Sequence, residues 1–367
     1  MQVRALRTEE EFHRYAMFGE EVYRTNQFWV PPDIHRLTSL LSGQARFAAH
    51  AHIQPFWIEE DARILATVTA VVDDLFNRHW KERTGHLLSF EVLDGHDQDA
   101  RSLLHAACQW LQQRGCTAAR LSFHFAWQLP FTIDAYEAVP TFLHSYNPPY
   151  YHGVIKDAGF VTESGQVQYQ VKFTPELTQR YQEMVEVAAR SGVRVRSWNF
   201  DKPDEEAALF TENYNETFAA HWGAAQFTTP EVQEVFRELK DLLVADFCGV
   251  AEVDDETAGV VFSLPDLNQA FQRMRGKNID EHLPEFYQAL QEISHGILLS
   301  IGVRQRFRGR GINLALAAKS YLAMIERGYK TGSYTVVLDT NWPSRRTAER
   351  LGARVTRNFV VYRRDLR

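Results

Sequence analysis

Two hydrophobic periods alternate along this chain, and their order predicts its elements. Ile297 to Val303 is a short apolar run with β-branched residues and reads as a buried strand. A polar stretch from Arg304 to Arg310 follows, with glycine at 309 and 311. Leu314, Ala318, Tyr321, Leu322 and Ile325 then recur at helical spacing, and Gly328 is the expected stop. Tyr334 to Leu338 reads as the next strand.

The first half has a similar grammar. Val3 to Arg7 is a strand, and Glu9 to Tyr23 a helix with Phe12, Tyr15, Ala16 and Val22 inside. Phe56 to Glu59 and Ile64 to Val72 pair around the turn Glu60 to Arg63, and His86 to Val92 is a further strand. An apolar stripe of Leu103, Leu104, Ala107, Cys108 and Leu111 makes a helix closed by Gly115. Ala119 to Phe125 is a strand, a short helix ends at Gly159, and Val167 to Phe173 closes the unit. The order repeats: strand Val193 to Trp198, helices over Ala207 to Ala220, and the hairpin of Phe247 to Val253 with Gly259 to Ser263. Pro175 to Ala189 connects the two. The pattern predicts an α/β protein of two tandem domains that repeat one architecture. The expected spans are 1–173, a connecting helix over 174–192, and 193–367.

Composition narrows the class. The 367 residues suffice for two domains, and 45% hydrophobic with 24% charged residues is usual for a globular protein. With 40 basic against 47 acidic residues, no nucleic-acid footprint is expected. Three cysteines lack metal-ligand spacing and read as buried thiols, so no metal is expected. No apolar run of membrane-spanning length occurs, and the N-terminus carries no signal-peptide core, which points to a cytoplasmic protein.

The chemistry concentrates in the strand, glycine turn and helix of residues 297–328. Such a layout aims backbone N–H groups and the positive end of a helix at one point, a ready anion site. Glycine at 309 and 311 serves positive φ and close approach of the backbone to a phosphate. Leu314 stands where a dinucleotide fingerprint needs a third glycine, and the lysine of a Walker loop is absent. What the residues do match is Arg306-Phe-Arg-Gly309-Arg-Gly311, which resembles the pyrophosphate signature Gln/Arg-x-x-Gly-x-Gly/Ala of GCN5-related N-acetyltransferases (GNAT). Asn341, eleven residues before Gly352, continues the likeness. The whole chain also resembles tandem-domain bacterial acyltransferase-like proteins, through Phe28-Trp-Val-Pro-Pro32, Tyr146 to Tyr151, His221-Trp-Gly223 and Leu264 to Asn268.

That resemblance implies two tandem acyl-CoA N-acyltransferase domains, each a mixed central sheet flanked by helices, the first degenerate. In the first half the corresponding turn holds Asp94, Asp97 and Asp99 and lacks the glycine pair, so it satisfies the helix dipole itself and repels a pyrophosphate. The second half is expected to bind acyl-CoA as co-substrate, with backbone N–H groups of Phe307, Arg308, Gly309, Arg310, Gly311 and Ile312 on the diphosphate. Arg306 and Arg308 add charge, with Arg306 the one the resemblance favours, Asn341 meets the pantetheine arm or its turn, and Val303 N–H donates to the thioester oxygen. The acyl group would pass to a primary amine of a small-molecule or lipid-like acceptor. The family's usual acid is a Tyr seven residues after the Asn, where this chain has Ala348; Tyr334 and Tyr321 are candidate replacements. Base candidates are His221, Asp266 and His295, while Glu91 reads as structural. Without an acid, the rival reading is a non-catalytic acyl-CoA-binding or sensing protein. Phe271, Met274, Leu283, Phe286, Tyr287 and Leu290, in an insertion over 265–290, either line an acceptor or acyl site or cover the domain interface.

Overall fold

The computed structural model describes residues 2–122, 130–277 and 279–366. Its thirteen strands, among the described residues, are β1 (Val3–Ala5), β2 (Ala51–Glu60), β3 (Arg63–Asp73), β4 (Thr84–Val92), β5 (Ala118–Leu121), β6 (Phe131–Thr132) and β7 (Val161–Lys172). They continue as β8 (Arg194–Ser197), β9 (Gly249–Val253), β10 (Glu256–Pro265), β11 (His295–Val303), β12 (Thr331–Leu338) and β13 (Arg354–Asp365). The α/β class is as the pattern predicted, and the mixed sheets flanked by helices are as the resemblance implied. The strand expected up to Phe125 ends at Leu121; Phe123 to Phe125 lie outside the described residues.

Two compact units form: unit 1 is Met1–Gly165 with Phe359–Arg367, and unit 2 is Gln166–Asn358. These divisions differ from the expected spans for a reason of pairing. Residues 166–172 of β7 ladder onto β12, whereas residues 359–365 of β13 ladder onto β6 and β5. Each long strand therefore changes unit part-way along, and the last strand of the chain completes the sheet of its first half.

In unit 1 the strands run β1-β2-β3-β4-β5-β13, antiparallel except for the parallel pair β4–β5. The helix Asp97–Gln113 buries Ala100, Leu103, Leu104, Ala107, Cys108 and Leu111, the predicted stripe, against this sheet. Unit 2 repeats the layout as β8-β9-β10-β11-β12-β7, with β11–β12 as its parallel pair. Its helix Ile312–Glu326 lies on β9, β10 and β11 and packs on its outer side against helix Pro175–Arg190. Thr174 caps that second helix and Pro175 occupies its first turn, where a missing N–H costs nothing. The three cysteines are buried free thiols. No helix of the described residues is long and apolar enough to cross a membrane.

Candidate functional site

Strands β11 and β12 start together and then part. Their parallel ladder covers only His295 to Leu298 opposite Thr331 to Tyr334. Beyond that fork β11 stays on β10 as far as Gly259↔Val303, and a cleft of about 520 Å³ opens on its other edge. The Arg304 N–H reaches across to Ala258 O at 2.9 Å. Alternation along an extended strand then turns the N–H and C=O of Val303 away from β10, toward the cleft. The C=O of Val303 accepts Arg308 Nε–H at 3.1 Å in agreement with that direction.

At the mouth of the cleft the chain makes the turn singled out by the sequence. Gly309 and Gly311 sit at φ +83° and +73°. A Cβ at either would point into open space, so in the free protein the requirement for glycine is the left-handed backbone alone. Gly311 is the N-cap of helix Ile312–Glu326 and offers no side-chain cap, which leaves the first-turn N–H groups for another acceptor. Gly309, Ile312 and Asn313 line the cleft, and so do Phe307, Arg308 and Val303.

The other arginines of the turn point elsewhere. Arg306 pairs with Glu256 at 2.5 Å and stays 58% exposed, outside the cleft lining. Arg304 pairs with Glu212 and Glu216. Arg310 is exposed and also outside the lining. Arg308 is therefore the one arginine of this turn in the cleft lining.

Asn341 lines the opposite wall. Its carboxamide oxygen accepts Ser344 N–H at 3.3 Å and so caps helix Trp342–Arg350. Ser344 and Thr347, one turn apart on that helix, face the cleft as well. Thr347 Oγ1 accepts Asn313 Nδ2–H at 2.8 Å, which ties the second turn of this helix to the start of helix Ile312–Glu326. Sequence reasoning missed Ser344 and Thr347 as cleft residues, although their spacing of three after Asn341 marks a common face.

The two tyrosines separate cleanly. Tyr334 lies at the fork, lines the cleft, and shares a 3.0 Å hydrogen bond with Ser344; burial pushes its pKa up to about 12. Tyr321 is fully buried, donates to Ser333 O at 3.1 Å and packs on Phe173 and Tyr181, away from the cleft. Ala348 is a core residue, 0% exposed, and does not line the cleft.

Of the base candidates, only His221 reaches the cleft. It follows helix Pro203–Thr217, stacks edge-on against Phe218 at 5.6 Å, and burial lowers its pKa, so the imidazole is neutral at pH 7. Asp266 lies at the far end of β11, where its N–H donates to His295 O at 2.9 Å. The cleft lining begins at Leu298, three positions along β11 from His295 or roughly 10 Å at about 3.3 Å each, and neither Asp266 nor His295 is part of it. His295 has both ring nitrogens on the hydroxyls of Thr331 and Ser333 and its pKa lowered by burial to about 4. In the insertion, Phe271 stacks on Phe286 and Met274 is buried, while Leu283 and Tyr287 are exposed; neither these residues nor Leu290 line the cleft. Among the described residues no group of three or more His, Cys, Asp or Glu could hold a metal ion.

No protein-family model matches the chain. It is 24% identical over 373 residues to a protein of Caulobacter vibrioides named bacterial ceramide synthase, covering 98% of this chain and 96% of that one. It is 21% identical over 377 residues to the Escherichia coli protein YghO, covering 99% and 95%. Among solved structures it matches a tandem GNAT protein from the clavulanic acid biosynthesis pathway, with TM-score 0.57, 11% identity, and 100% and 99% of the two chains covered. A GCN5-related N-acetyltransferase from Sphaerobacter thermophilus matches with TM-score 0.52 and 14% identity, covering 100% and 96%. The chain thus has the tandem GNAT fold.

Proposed function

We propose that this protein is an acyltransferase that holds an acyl-coenzyme A in the cleft of unit 2 and passes its acyl group to a primary amine. The observation that carries this reading is the parting of β11 from β12 after Leu298, with the Val303 N–H turned into the gap and an uncapped helix start at its mouth. In this assignment the N–H groups from Gly309 to Ile312 and the guanidinium of Arg308 take the diphosphate, because the expected N–H groups of Phe307 and Arg308 already donate to Arg304 O and Gln305 O. Arg306 and Arg310, outside the cleft, contribute only longer-range positive potential. Val303 stands beside that cradle, so its N–H serves the pantetheine arm, flanked by Asn341. The thioester then lies nearer the fork at Leu298, roughly 16 Å back along the strand.

In the reaction the amine lone pair attacks the thioester carbonyl, the C–S bond breaks, and the ammonium proton passes to neutral His221. The thiolate needs no full proton. With a pKa of about 12, Tyr334 is a much weaker acid than a thiol of pKa ~8.5, so it keeps its proton and donates a hydrogen bond to the departing sulfur. Full-length likeness to a protein named bacterial ceramide synthase favours a lipid-like acceptor, since ceramides are amides of long-chain amino alcohols.

The test is incubation of the purified protein with acetyl-coenzyme A or a long-chain acyl-coenzyme A and a long-chain amino alcohol. Mass spectrometry should detect the amide, in step with released thiol. Binding of acyl-coenzyme A without amide formation from any amine supplied would support the non-catalytic binding reading instead. Absence of binding would refute both.

A further inference from the structure

Beside the cleft, unit 2 carries a large aromatic ring whose setting the acyl-transfer chemistry does not use. Trp342 opens helix Trp342–Arg350 and is 55% exposed, although its neighbours Asn341, Pro343 and Ser344 line the cleft. Its side chain stands at the rim, outside the lining.

The ring is held rather than loose. The guanidinium of Arg345 lies 4.5 Å from its centroid, a cation–π contact. That guanidinium is itself fixed, because Arg345 Nε donates to Tyr169 Oη at 2.9 Å and its NH1 donates to Asp339 O at 2.7 Å. Pro343 restricts the backbone that follows. An indole with one side on an anchored cation and much of its surface in water is a pre-organised stacking platform. The Asn313–Thr347 bond holds the second turn of this helix beside the first turn of helix Ile312–Glu326, the diphosphate end of the cleft.

We propose, on the acyl-coenzyme A reading of the cleft, that Trp342 is the platform on which the adenine ring of the coenzyme stacks. A purine has a flat π-face and joins the pantetheine arm through the same diphosphate, so it emerges where this ring stands. The consequence is donor choice. Trp342 favours a free coenzyme A thioester over a carrier-bound phosphopantetheine thioester, which has no adenine to stack.

The experiment compares coenzyme A with 4′-phosphopantetheine by calorimetric titration on the unaltered protein and on Trp342→Ala and Trp342→Phe. Stacking on an aromatic ring predicts that Trp342→Ala weakens coenzyme A binding by about 10-fold and leaves 4′-phosphopantetheine unchanged, while Trp342→Phe recovers most of the loss. Unchanged coenzyme A affinity in Trp342→Ala, or an equal loss for both ligands, overturns the platform and leaves the cleft reading standing. If the unaltered protein binds neither ligand, the cleft reading falls and the platform with it.

Discussion

Strands β4 and β5 of unit 1 and strands β11 and β12 of unit 2 begin with the same parallel ladder of four residues and then part. The Leu93 N–H bonds to Leu65 O just as the Arg304 N–H bonds to Ala258 O, so Val92 and Val303 hold the same place in the two forks. There the resemblance stops. In unit 1 the Val92 N–H donates to Tyr151 Oη at 2.9 Å and its C=O accepts the Tyr150 hydroxyl at 2.6 Å. Tyr151 and Tyr23 both donate on to Glu91, which burial pushes up to about pKa 7. The following turn has one positive-φ glycine, Gly95, and a helix start beside Asp97 and Asp99, the latter bonded to His96 at 3.1 Å. One fork is closed by its own side chains, and the other leaves its strand edge and helix start open to a cleft. A shared backbone is therefore no evidence of a shared site; the occupants of the fork decide.

The contrast breaks most easily at the glycines. Valine at 309 or 311 has to enter the left-handed region, which β-branched residues oppose, and pulls backbone donors off the diphosphate. Gly309→Val should weaken coenzyme A binding by roughly 100-fold or more, the loss of one or two hydrogen bonds to a charged group. Gly95→Val in unit 1 should leave that affinity alone, and calorimetry on the pair checks both statements. A comparable loss from Gly95→Val would mean that unit 1 also binds the coenzyme.

A smaller effect on binding and a large one on rate are expected at His221. Its neutral form accepts the proton, and its pKa is lowered by burial, so turnover should fall only as the pH drops through a value below the ordinary histidine range. His221→Gln should lower kcat by about 100- to 1,000-fold and remove that acid limb, with coenzyme A affinity unchanged. A pH–rate profile that keeps the same limb in the variant would take His221 out of the mechanism.

The mildest change concerns the closed fork. The folded-state pKa of Glu91 is raised, so the proton held in unit 1 stabilises it fully below about pH 4.5, and that contribution is lost as the pH rises through about 7. Glu91→Gln keeps an acceptor for the tyrosines without a charge to bury. Urea unfolding should find the variant more stable than the parent by about 1–2 kcal/mol at pH 8 and little different at pH 5. A variant less stable at pH 8 would mean that ionised Glu91 is the form the fork prefers.

Much of unit 2 was legible because its signals are local. Apolar continuity marked β11, positive φ is a demand that glycine advertises, and Asn341 stands at a helix start where its side chain suits the cap. The resemblance favoured Arg306 over Arg308, whereas the cleft lining holds Arg308. They are two residues apart in one turn, yet one meets Glu256 and the other turns back to Val303 O. Tyr321 and Tyr334 posed the same problem, since either ring suits a core and only the fork puts Tyr334 in the cleft. Asp266 and His221 were equal candidates on residue type, but only His221 is part of the cleft lining.

By itself the sequence determined the order of strands and helices, the left-handed turn at Gly309 and Gly311, and the uncapped helix start behind it, because each depends on neighbours within a few residues. Tertiary structure alone decided that Phe359 to Asp365 complete the sheet of unit 1, that Tyr150 and Tyr151 close its fork, and that Tyr334, Ser344 and His221 share one cleft. Those facts rest on strand pairing and side-chain contact between residues up to hundreds of positions apart. Nothing in the local pattern encodes which backbone edge is left open until the sheet has chosen its partners.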